Sequence, residues 1–138
     1  MSSLTSPRNT VTVGPQLYGT EQPMDAGEKV VEGCLVALDG YGMAQDMTKA
    51  ASLTCVGIAV RSVDNSSGQD GDLSCVAITG RFMFDNGTST DTITQADVYK
   101  TCYALDNHTV TRLSSGASAV GTVKQLDAAS GQVIVEIA

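Results

Sequence analysis

Residues 71–86 read GDLSCVAITGRFMFDN. This is the most apolar stretch of the chain, and it divides into two strand-like runs, LSCVAITG (73–80) and RFMFD (81–85). β-Branched and aromatic residues suit the pleated, half-buried surface of a sheet. Phe82 and Phe84 stand two residues apart, so in a strand they share one face. That face belongs in the core or in an interface patch. The stretch has no nucleophile paired with a base, no metal-ligand spacing and no phosphate-binding loop.

Working outward, the same texture continues in both directions. Strand-like runs occur at TVTV (10–13), CLVALD (34–39), LTCVGIAV (53–60), CYALD (102–106), TVTRL (109–113), AVGTVKQLD (119–127) and QVIVEIA (132–138). Turn formers separate them, in DGYG, DNSSGQDGD, DNGTST, DNH, SSG and AASG. Gly14-Pro15 interrupts the first run, and GTEQPMDAGEK (19–29) reads as a polar connector. TITQADVYK (92–100) fits a short helix of one or two turns, with Thr94 as cap and Asp97 three residues on; MTKAAS (47–52) is a weaker candidate for one turn. The expected fold is all-β: a small barrel or sandwich of about 8–10 short strands with one short helix. An extended N-terminal arm, residues 1–18, precedes a single β domain, residues 19–138. The chain also echoes itself. VALDGYG followed by VGIAV and a closing apolar strand is matched by YALDNH followed by VGTV and another. In each half the ALD aspartate starts a turn and the VG glycine lets backbones approach closely. A duplication and a chance repetition of simple β patterns both account for this.

Bulk properties narrow the function. The chain has 138 residues, one domain's worth. Charged residues are only 17 %, too few for a helical bundle built on Glu and Lys. Net charge is −7, and the four Lys and four Arg are scattered singly. A phosphate backbone needs a basic patch, so nucleic acid is not an expected partner. No run approaches the ~20 apolar residues of a membrane-spanning helix, and MSSLTSPRNT lacks the apolar centre of a signal peptide. The expected site of synthesis is the cytoplasm.

No constellation nominates chemistry. Cys34, Cys55, Cys75 and Cys102 each sit inside an apolar run without CxxC spacing. They read as buried, reduced thiols rather than zinc ligands. His108, the sole histidine, lies in DNHT and reads as a surface-turn residue. DNSSGQDGD (64–72) gathers Asp64, Asp70 and Asp72; it reads as a solvated turn or as an irregular Ca²⁺ loop, since it lacks the EF-hand spacing. GYGMAQ lacks the third glycine of a dinucleotide loop. The expectation is a binding or structural protein, not an enzyme, with no cofactor and no metal. The candidate partner-binding residues are Thr10, Val11, Thr12, Val13, Leu17 and Tyr18. An extended TVTV can pair with its own sheet or with the sheet edge of another chain.

The order of these features resembles the head-decoration, or capsid-cement, proteins of tailed bacteriophages. The resemblance runs over residues 10–138 and is strongest from GRFMFDN through YALDN (80–107). Where that family form reads DVGK, this chain has Tyr99 in place of the glycine. The resemblance implies a non-enzymatic virion protein on the outer surface of the expanded head. Its partner would be the major capsid protein, gripped through residues 1–18, and it would sit there as a homotrimer. A β-sandwich module of a phage tail, spike or fibre is the alternative.

Overall fold

The computed structural model describes residues 3–13 and 19–138. Among them are twelve strands: β1 (Gly19–Pro23), β2 (Lys29–Val30), β3 (Leu35–Leu38), β4 (Ala44–Asp46), β5 (Thr54–Ala59), β6 (Val63–Asp64), β7 (Ser74–Ile78), β8 (Gly80–Asn86), β9 (Thr101–Ala104), β10 (Thr109–Thr111), β11 (Ala119–Leu126) and β12 (Val133–Ile137). The fold is all-β and contains a small closed barrel.

Two units share one path. The first has the strand order β1-β7-β5-β3-β4, and the second β8-β12-β11-β9-β10. In each, the first strand in the chain pairs with the last, and the middle strands form a hairpin. The second unit closes because β10 runs parallel to β8, at Thr109↔Asp85 and Val110↔Asn86. The first has only one such contact, a parallel bridge from Met24, just past β1, to Ala44 in β4. The small β2–β6 ladder is an addition to the first unit.

The repeated sequence signatures fall at matching places. The ALD of residues 37–39 ends β3 and opens its hairpin to β4; the ALD of 104–106 ends β9 and opens the hairpin to β10. Gly57 in β5 and Gly121 in β11 each lie against a neighbouring strand. A Cβ on Gly57 would stand 2.1 Å from the Ile78 carbonyl oxygen, and one on Gly121 2.1 Å from that of Glu136. Even the entries to β3 and β9 are alike. Gly33 N–H donates to Ala59 and Ala59 N–H to Cys34; Tyr99 N–H donates to Val123 and Val123 N–H to Lys100.

Alternation of side chains builds two cores. Met24, Val36, Ala44, Ala59, Cys75 and Ala77 fill the first unit. Phe82, Phe84, Val110, Val123, Val133 and Val135 fill the barrel, and Leu35, Ala37 and Ile58 join them from the first unit. β3 is therefore buried on both faces, which explains its uninterrupted LVAL. The two phenylalanine rings are fully buried and meet edge to face, with centroids 6.4 Å apart.

Several expectations need correction. The described residues form twelve strands rather than about eight to ten. The polar connector at 19–29 contains β1, an exposed edge strand whose GTEQP carries no apolar alternation. The helix at 92–100 is one 3₁₀ turn, Gln95–Asp97, with the Asp97 carboxylate accepting from Thr94 N–H at 2.8 Å. A second, Ser89–Asp91, precedes it. Residues 47–52 form no helix.

Candidate binding surface

The N-terminal segment begins at the sequence's least charged end: Arg8 is the only charged side chain in the first twenty residues. In the structure this segment is fastened along its length to both units. Arg8 N–H donates to Glu32 of the first unit at 2.6 Å. The Arg8 guanidinium donates to the Met83 carbonyl at 3.1 Å and pairs with Asp85 at 3.3 Å, both in β8. It also lies over the Phe84 ring, 6.0 Å from its centroid. Thr10 is buried, and its hydroxyl donates to the Gly33 carbonyl. Gly33 has φ +86°, and any Cβ there would run into the Arg8 carbonyl.

Residues 11–13 then pair antiparallel with β8, through a bridge between Thr12 and Phe82. Met83 N–H donates to the Val11 carbonyl at 3.0 Å, and Val13 N–H to the Arg81 carbonyl at 2.6 Å. Of the candidate residues, Thr10 to Val13 thus lie together along β8, with the Val11 side chain 47 % exposed. Leu17 and Tyr18 lie outside the described residues. The pairing leaves the Thr12 N–H and C=O facing away from β8, because these groups alternate along a strand.

A polar junction that sequence reading missed holds the start of the segment. Asn107, fully buried, accepts from Leu4 N–H at 2.9 Å and donates to the Leu4 carbonyl at 3.2 Å. The same amide donates to both carboxylate oxygens of Asp46 in β4, at 2.9 and 3.1 Å. One side chain thereby joins the segment, the first unit and the second. Burial pushes the Asp46 carboxyl up to about 6, with Glu28 and Asp106 adding to the effect and the Asn107 bond opposing it. Asp106 caps its turn, its Oδ1 accepting from the N–H groups of His108 and Thr109.

His108 is corrected from a surface residue to a nearly buried one, its side chain 12 % exposed. The turn folds back against β8, placing the ring nitrogens 3.0 Å from Asp106 and 3.7 Å from Asp85. DNH had signalled the turn; nothing in it signalled that the turn packs inward.

The other sequence candidates are absorbed by structure. Asp64, Asp70 and Asp72 accept from the N–H groups of Ser66, Ala26 and Gln69 respectively. Among the described residues no three His, Cys, Asp or Glu side chains cluster as metal ligands. All four cysteines are free, three of them buried and Cys55 half-buried. Burial pushes the thiols of Cys34, Cys55 and Cys102 up to about 12, far from the thiolate form. No helix of the described residues is long and apolar enough to cross a membrane.

Comparison of the chain with known proteins finds no match: no family model, no curated protein and no solved structure resembles it significantly.

Proposed function

We propose that this chain is a capsid decoration protein of a tailed bacteriophage. It binds the outer surface of the expanded head and stabilises contacts between major capsid protein subunits, as a homotrimer. It makes and breaks no covalent bond. The sequence resemblance over 80–107 motivates this reading. The observation that carries it is the fastening of residues 4–13 across both β units, by Asn107, Arg8 and the bridge to β8. A clamp must transmit load without deforming. Two units joined by partly buried polar bonds and a shared core suit that task.

In this reading the grip is the outer side of residues 10–13. It offers the Val11 side chain and the outward N–H and C=O of Thr12. A stable contact buries about 800 Å² on each partner, so flanking surface takes part. Three-fold attachment raises affinity further without new contacts.

The test is co-sedimentation of the purified chain with expanded heads of the parent phage that lack it. Saturation at a fixed ratio to capsid protein, together with heads that survive hotter incubation, is the expected result. Failure to pellet with the heads at any ratio would overturn the reading. Val11→Asp, which places a charge on the exposed side of the segment, should weaken occupancy at least tenfold while leaving the fold intact.

A further inference from the structure

The two units differ at one edge. β8 is flanked by β12 on one side and by residues 11–13 on the other. Its counterpart β1 is flanked by β7, and no described strand lies on its other side. The correspondence of the two edges follows from register. Met24↔Ala44 matches Asn86↔Val110, so Gly19 matches Arg81 and Glu21 matches Met83. Arg81 and Met83 are the residues that bond the N-terminal segment. On β1, Met24 N–H donates inward to the Leu73 carbonyl at 2.9 Å. Counting back by twos, Gln22 and Thr20 also face β7, and the N–H and C=O of Gly19 and Glu21 face outward. All of Gly19, Thr20 and Glu21 are exposed.

We infer that the outer edge of β1, at Gly19 and Glu21, accepts an extended strand of a partner protein carrying a basic residue opposite Glu21. The second unit supplies the precedent for an antiparallel strand at the matching position. Charge selects the occupant. Glu21 pairs with Val76, and Val76 with Val60, so these side chains share one face, whose Ile58 and Ile78 pack on the barrel core while Val60 and Glu21 stand exposed. An added strand places one side chain next in that row, beside the Glu21 carboxylate, with Val76 and Val60 one and two strands further in. A lysine stem and ammonium complement it. A second copy of this chain would bring another Glu21 and a second net charge of −7 to the same edge, which disfavours self-pairing. Pro23, whose missing N–H lies on the outer side, ends the pairing there. The inference goes beyond the capsid reading and does not depend on it.

The probe is a pair of blocked pentapeptides, acetyl-Thr-Val-Lys-Val-Thr-amide and the same sequence with Glu at the centre. Each is titrated into the full-length chain and followed by amide NMR. The Lys peptide should shift the Gly19 and Glu21 amides and bind about three- to fivefold more tightly than the Glu peptide, as one cross-strand charge pair allows. Glu21→Lys should reverse the preference. Glu21→Pro, which removes an outward N–H and leaves the pairing with β7 intact, should abolish binding of both. No shift at these amides, or equal preference in the native chain and in Glu21→Lys, would overturn the inference. So would self-association of the chain that protects the same amides from exchange.

Discussion

The two β units follow the same path, but only the second closes into a barrel. The second closes through two parallel pairs, around Phe82 and Phe84. The first stays an open sheet, its ends touching at one bridge, around Met24, Val36 and alanines. Their edges differ in the same sense: β8 is covered by residues 11–13, and no described strand covers β1. Chain path alone therefore does not make a barrel. Side-chain volume inside and a covered edge outside complete the second unit, while the first leans on it through Leu35, Ala37 and Ile58.

Emptying the barrel should therefore unfold both units together. Phe82→Ala or Phe84→Ala should cost about 3–5 kcal/mol, and thermal melts should show one transition. Met24→Ala removes the first unit's largest core side chain, and its cost should be smaller because the neighbouring residues are small enough to close in. Two separate transitions in Phe84→Ala, read by amide exchange in each unit, would break the comparison.

The paired glycines sharpen it. Both Gly57→Ala and Gly121→Ala drive a methyl into a carbonyl oxygen, and such overpacking costs about 1–3 kcal/mol. Gly57 also has φ +132°, which an alanine adopts only under strain. Gly57→Ala should therefore reach about 2–4 kcal/mol and exceed Gly121→Ala in denaturant melts. Equal costs would mean that the backbone conformation at Gly57 adds nothing to the shared clash.

These glycines also show what sequence reading can and cannot reach. VG was legible as a close-approach site because glycine in a strand has few other uses. The apolar strands β3, β5, β7, β8, β9, β11 and β12 were legible because burial demands apolar side chains. β1 was not, since an exposed edge strand has no apolar face to display, and β2, β4 and β6 are too short to show a period. The N-terminal seat was half legible. TVTV announced an extended segment, but its partner lay seventy residues away in β8. The junction at Asn107 was hidden because the residues that meet there, Leu4, Asp46 and Asn107, are local nonentities in sequence and become a site only through topology.

That junction is the next way to break the comparison. Asn107→Ala leaves the Leu4 backbone and the Asp46 carboxylate without their shared partner, at a cost of about 2 kcal/mol. The effect should be local. Amides of residues 4–13 and the outer N–H of Met83 should exchange faster, and the segment should become cleavable by protease, making the β8 edge as open as that of β1. A uniform loss of protection throughout the barrel would contradict a local fastening.

Acidity separates the units more gently. Asp46 is raised to about 6 by burial, and Asp25 to about 6 chiefly by its hydrogen bond with Asp39; both belong to the first unit. A carboxyl raised on folding contributes stability that is complete below its ordinary value and is lost as pH rises through about 6. Asp39, Asp64 and Glu136 are lowered, by hydrogen bonds from Asp25, Ser66 and Arg81 respectively. Their contribution is present above the ordinary carboxyl value and is lost as pH falls further. Tm should therefore rise by a few degrees from pH 7.5 to about 5 and fall again below about 4. Asp46→Asn, which cannot ionise, should reduce the rise to the share of Asp25 and leave the acid limb unchanged.

The smallest effect concerns the two matching entries to β3 and β9. Both need a left-handed residue two positions before the strand: Gly33 has φ +86° and Tyr99 φ +68°. The first unit uses the residue that adopts this backbone freely. The second uses tyrosine there. Tyr99 is 70 % exposed, and the Lys124 ammonium lies 4.5 Å from its ring centroid, a contact that partly offsets the strain. Removing the ring and relieving the backbone can be measured apart. Tyr99→Ala loses the cation contact and keeps the left-handed strain; Tyr99→Gly loses both. The glycine variant should be the more stable of the two by about 1 kcal/mol, roughly 3 °C in Tm for a chain of this length. If alanine were as stable as glycine, position 99 would not be held left-handed in solution, and the copied hydrogen bonds to Ala59 and Val123 would no longer mark equivalent turns.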